Sequence, residues 1–75
     1  MKFFTGLRKT VEKREWTKVE ITISHVKQLR SVIEYIEWFD NKDSKGRYAV
    51  YSIPDAFEYW FEEPETATEF VLRFA

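Results

Sequence analysis

The sequence predicts a small α+β domain of order β-α-β-β-α, with a ferredoxin-like three-stranded sheet and its helices on one face. Three observations predict it. Val19, Ile21 and Ile23 alternate with Lys18, Glu20, Thr22 and Ser24, the period of a half-buried strand. Val26, Leu29, Ile33 and Ile36 recur at helical spacing, widened by Val32 and Phe39. Two aromatic runs, Tyr48 to Ile53 and Phe57 to Glu62, are separated by Pro54-Asp55.

Residues 1–16 read as an extended or partly ordered arm. Phe4, Leu7 and Val11 also fit helical spacing, with Thr5 or Gly6 as a start. From Thr17 to Ser24 the alternation of β-branched residues gives the first strand. Ser24 is suited to cap the following helix, because its hydroxyl accepts from the unpaired N–H groups of the first turn. Lys27, Arg30, Ser31, Glu34 and Glu37 form the helix's polar face, so about four turns are amphipathic. The polar run Asn41 to Gly46 ends it.

Tyr48 to Ile53 is the second strand and Phe57 to Glu62 the third, close enough to pair as a hairpin. Pro54 fixes φ and Asp55 bonds to nearby backbone, which is turn chemistry. In the third strand Phe57, Tyr59 and Phe61 face one way, and Glu58, Trp60 and Glu62 the other. As the most apolar strand it is expected between the other two. Glu62-Glu63-Pro64-Glu65 announces the last helix, since proline suits its first turn and carboxylates its positive end. Ala67, Phe70, Val71 and Phe74 are its expected buried stripe.

Seventy-five residues make one domain, near the lower limit for independent folding. With no cysteine and one histidine, disulfides and the usual zinc sites are excluded. Three Trp, four Tyr and seven Phe supply the core instead; each buries roughly 150–250 Å². No apolar run approaches the roughly 18 residues that span a bilayer. Met1-Lys2-Phe3-Phe4 runs into charged residues, unlike a signal peptide. The absence of cysteine fits the cytoplasm. The net charge of −1 hides a polarity: residues 1–30 hold eight Lys/Arg against three Glu, and residues 31–75 hold four against ten Asp/Glu. Such a chain pairs its halves internally, presents two solvated faces, or self-associates.

No catalytic constellation is present. His25 stands alone at a first helical position, and Glu62, Glu63 and Glu65 are accounted for by a helix N-terminus. The loop from Asn41 places Asp43 and Gly46 as a calcium loop would. Lys45 then occupies a ligand position and Ser52 replaces the bidentate Glu. Gly6 and Gly46 are isolated, so there is no phosphate loop. No cofactor is expected.

Two surfaces remain. On the sheet face away from the helices, Trp60 is joined by Tyr48 and Val50 or by Ala49, Tyr51 and Ile53, with Glu58 and Glu62 flanking it. An open aromatic face contacts a protein or stacks bases; the two carboxylates repel phosphates and favour a protein. The alternative is that the N-terminal arm, with Phe3, Phe4 or Trp16, folds over this face. The second surface is the basic arm: Arg8, Lys9, Lys13 and Arg14, with Lys2 and Lys18.

The ending Phe61-Glu62-Glu63-Pro64-Glu65, Ala67, Phe70, Leu72-Arg73-Phe74 resembles the close of many small proteins encoded by tailed bacteriophages. About 14 residues carry the likeness, all at strand, cap and core positions. It implies an accessory protein that binds and blocks a host enzyme or defence complex. The expected function is therefore a non-enzymatic protein-binding inhibitor or modulator in the host cytoplasm, with Trp60, Tyr51, Glu58 and Glu62 as one contact surface and Arg8, Lys9, Lys13 and Arg14 as another. The alternatives are a single-strand nucleic-acid binder using the same residues, and a structural homo-oligomer.

Overall fold

A computed structural model describes residues 1–22, 29–42 and 46–74, with the backbone alone for 29–33. The Ser24 cap, His25, the strand end at Ile23 and the loop 43–45 lie outside the described residues. The elements are β1 (Lys2–Phe3), α1 (Arg8–Lys13), β2 (Thr17–Thr22), α2 (Leu29–Asn41), β3 (Arg47–Ile53), β4 (Ala56–Phe61) and α3 (Pro64–Phe74).

The four strands form one mixed sheet in the order β1-β3-β4-β2. β4 lies between β2 and β3, antiparallel to both, as its run of aromatics predicts. Ile53 pairs with Ala56 across a two-residue turn. Pro54 precedes Asp55 at φ 66°, the residue choice and backbone sign of a type II turn. The sheet has a fourth strand that the sequence reading lacked. β1 runs parallel to β3, with Lys2 opposite Arg47 and Phe3 opposite Tyr48, and Phe4 N–H extends the contact to Tyr48 O at 2.8 Å. Two residues hold no period, so only tertiary contacts define this strand. The Met1 ammonium donates to Phe39 O and Lys42 O, at 3.1 and 2.7 Å, satisfying carbonyls that the end of α2 leaves unpaired.

The helices are not all on one face. α2 and α3 cover one side, where Tyr35, Phe39, Ala67, Phe70 and Phe74 pack on Val19, Ile21, Tyr59 and Phe61. Phe70 is fully buried at the centre, within 6 Å (centroid to centroid) of the rings of Tyr35, Trp38, Phe39, Tyr59, Phe61 and Phe74. Val71, expected in this stripe, is exposed; Thr66 is buried instead. Gly46 sits against α3's approach: a Cβ there would lie 2.9 Å from Glu63 Cγ.

α1 covers the opposite side. Six residues are too few for a stable isolated helix, and Leu7 at its N-cap makes no side-chain cap bond. The helix is held by Val11, fully buried among Trp16, Ala49 and Trp60. It closes with Trp16 N–H to Val11 O and Glu15 N–H to Glu12 O, both at 3.1 Å, around Glu15 at φ 58°. This is a Schellman closure with its apolar Val11–Trp16 contact, made without the usual glycine.

Candidate protein-binding cleft

The face expected to be open is therefore covered. Trp60 is 6% exposed and Glu58 2%. Ala49 and Tyr51, rather than Tyr48 and Val50, share their side of the sheet. Tyr51 is half-buried and its hydroxyl donates to Gly6 O at 2.8 Å. The physical reason is in the arm: Phe4, Val11 and Trp16 are apolar surface with nowhere else to go, and they bury Trp60 by folding back.

Beneath α1 lies a buried ionic node. Arg8 donates from Nε to Glu58 Oε1 at 2.6 Å and from Nη2 to Oε2 at 3.1 Å. Trp60 Nε1 donates to Oε1 at 3.0 Å, and Lys18 Nζ stands 4.0 Å from Oε2. The Arg8 hydrogen bond is the main reason that the Glu58 carboxyl is held below its usual range, against the desolvation of its site. Arg8 also pairs with Glu12 one turn on. Charges from the two halves of the chain thus meet internally. Arg47 binds Glu62 through backbone N–H and guanidinium, at 2.9 to 3.2 Å, and lowers that carboxyl too. Glu62 stays at the surface. Lys9, Lys13 and Arg14 remain exposed on the outer side of α1, beside a shallow depression that they line with Thr10.

Of the sequence-derived sites, the structure joins Arg8, Glu58, Trp60 and Tyr51 as an internal seam. It separates Glu62 from them and gathers Lys9, Lys13 and Arg14 as a basic patch.

A cavity of about 360 Å³ opens instead on the other side of the sheet, between α2 and β3. Tyr35, Phe39, Tyr59 and Phe57 form its floor, Tyr48 and Val50 its β3 wall, and Phe3 and Ile36 its mouth. Phe39 and Tyr48 stack with rings 4.0 Å apart and 3° from parallel, which fixes one wall. Phe3 is 51% exposed and Ile36 57%. Ile36 belonged to the predicted core stripe; the helix is rotated enough to leave it at the rim.

The lining carries no charged side chain. Its polar groups are tyrosine hydroxyls. Burial raises the pKa of Tyr59 to about 12, and burial also raises Tyr35 and Tyr48. The hydroxyl of Tyr35 is buried without a hydrogen-bond partner among the described residues. Beside the cavity, β1 covers only Arg47 and Tyr48 of β3. Among the described residues, no strand pairs with Ala49 to Ile53 on that side.

Tyrosines this far from ionisation are poor bases at neutral pH. Among the described residues no group of three or more His, Cys, Asp or Glu is placed to hold a metal. The arrangement suits binding: an apolar cleft of ordinary ligand size next to a free strand edge. The residues that the sequence reading missed are Phe3, Tyr35 and Ile36. Ile36 reads as part of the core stripe of α2, and Phe3 as part of the arm that folds over Trp60; both lie instead at the mouth of the cleft on the other side of the sheet, and no sequence pattern marks such a rim.

No protein-family model matches the chain, and neither a curated protein nor a solved structure matches it. Among the described residues, no helix is long and apolar enough to cross a membrane.

Proposed function

We infer that this is a non-enzymatic protein-binding module that acts in the cytoplasm by occluding part of a protein partner. The partner contributes an extended segment. Its backbone adds alongside Ala49 to Ile53 of β3, and one apolar side chain enters the cleft under Ile36. The juxtaposition of the apolar cleft with the unpaired stretch of β3 carries this reading. Strand addition draws its affinity from main-chain hydrogen bonds and its selectivity from such a pocket. In the setting that the C-terminal resemblance implies, the partner is a host protein.

The aromatic residues that a base-stacking surface needs, Trp60 and Tyr51, lie under α1. Capture from bacterial lysate, with nuclease treatment, compares wild type with Ile36→Glu and with Lys9→Glu/Lys13→Glu. The expected result is a protein that survives nuclease, is lost in Ile36→Glu and is kept by the charge-reversed variant. The captured protein's binding segment, as a synthetic peptide, then shifts the backbone amide resonances of residues 49–53. Loss with nuclease and with the charge reversal refutes the reading in favour of nucleic acid.

A further inference from the structure

β2 is a sheet edge; among the described residues its strand partner is β4. Its pairing is unbroken from Thr17 to Thr22, and it holds no proline or bulge to discourage another strand. On the helix face it presents Thr17, Val19 and Ile21; on the α1 face it presents Lys18 and Glu20. α3 lies beside this edge, where Thr17, Val19, Ala67, Val71 and Leu72 border a groove of about 260 Å³. Leu72 is 82% exposed and Val71 also faces solvent. Glu20 lies directly opposite Glu58 on β4, whose charge Arg8 already meets. Among the described residues no cation pairs with Glu20.

We propose that two copies of the chain associate through their β2 edges, antiparallel, with Val19 opposite Val19, so that one sheet runs through both. Symmetry and charge select this register. A two-fold axis normal to the sheet keeps each face on its own side, so residues that meet must share a face. The central pairs allowed within Lys18 to Glu20 are then Lys18 with Lys18, Val19 with Val19, or Glu20 with Glu20. The first and third set like charges directly opposite, which destabilises a strand pair. The Val19-centred register instead sets Lys18 against Glu20 twice and Thr17 against Ile21 twice. It supplies Glu20 with the cation it lacks, and it brings the two Val71 and Leu72 shelves side by side over the new seam. Lysine on an edge strand ordinarily repels added strands; here Lys18 disfavours the register centred on itself and favours the one centred on Val19.

Sedimentation equilibrium of the full chain without a terminal tag tests this. Wild type is expected to rise from the 9.1 kDa chain mass towards twice that value with concentration. Lys18→Glu and Glu20→Lys each replace two attractive pairs by two repulsive ones, and each weakens the dimer about tenfold or more. An equimolar mixture of the two variants restores every pair, so it recovers a heterodimer that neither variant forms with itself. Circular dichroism confirms that each variant folds. Leu72→Asp, at an exposed position, provides a second variant that weakens the dimer without touching the strand. A wild-type mass that stays at the chain mass overturns the proposal, as does a dimer that both charge reversals leave intact. A mixture that fails to recover association also overturns it.

Discussion

Replacing Glu58 by Ala is expected to be among the most damaging single changes on the α1 side of the sheet. The carboxylate is almost fully buried and accepts three hydrogen bonds, two from Arg8 and one from Trp60. Its removal leaves Trp60 Nε1 as a buried donor without an acceptor, which costs about 1–3 kcal/mol. Arg8, whose side chain is 42% exposed, turns to water and softens its own loss. The missing methylenes add a small cavity above the central strand. The expected loss is about 3 kcal/mol. A 75-residue domain has roughly 4–11 kcal/mol in total, so the melting temperature falls by roughly 12–24 °C. Urea unfolding followed by tryptophan fluorescence, checked by circular dichroism, measures it. The pH dependence supplies an independent reading. Arg8 holds the folded-state carboxyl below 4.5, so the unfolded chain binds the proton first as pH falls. The stabilisation is therefore complete above the ordinary carboxylate range and drains away as pH drops from 4.5 through the folded value. Glu58→Ala removes that part of the acid limb and leaves the part due to Glu62. A loss below about 1 kcal/mol, together with an unchanged acid limb, would show that this carboxylate does not latch α1 to the sheet.

Two further expectations concern single backbone and hydroxyl groups. Glu15 holds a left-handed conformation that costs a non-glycine residue about 1 kcal/mol. Glu15→Gly is expected to raise stability by about 0.5–1 kcal/mol, and Glu15→Val to lower it; thermal melts that rank them the other way refute the closure assigned to α1. The Tyr35 hydroxyl is buried with no partner among the described residues, so Tyr35→Phe is expected to stabilise the domain by about 1 kcal/mol. A destabilised variant in the same urea assay would mean that the hydroxyl is satisfied in solution.

The parts of the fold that the sequence announces are those with a period or a strong local signal. β2 alternates cleanly, β3 and β4 stand out as short aromatic runs, Pro54-Asp55 marks the turn between them, and Pro64 marks the start of α3. α2 and α3 declare themselves by their stripes, though the rotation of each helix is not encoded there, which is why Ile36 of α2 ends at a rim and Val71 of α3 on the surface. α1 is hidden because its usual signs are missing: six residues, leucine at the N-cap, and glutamate where a helix most often closes on glycine. β1 is hidden because two residues carry no pattern; its position follows from the Met1 ammonium on the last carbonyls of α2 and from Phe4 on Tyr48. The candidate site fared differently. The residues singled out on the Trp60 face do act together, but as a seam inside the molecule. The possibility that Phe4 and Trp16 close over Trp60 was visible in their apolar character. The cleft was not visible, because a cavity is what neighbouring elements leave between them.

Glu58 also explains why the two sheet faces keep their identities. Both faces of β4 are rich in aromatic residues, so apolar burial alone distinguishes them weakly. A one-residue slip of β4 against its neighbours exchanges its faces. It would carry Glu58 away from Arg8 and into the apolar layer of Phe39, Phe61 and Phe70, and an unpaired buried carboxylate there is far costlier than a misplaced ring. On its own side the same carboxylate is met by Arg8, which only α1 can supply. One acidic residue on the central strand therefore sets the register of the hairpin and the side on which α1 docks. By drawing α1 to the Trp60 face, it keeps that helix off the side where the cleft opens. The binding surface is in this sense the face that Glu58 does not occupy.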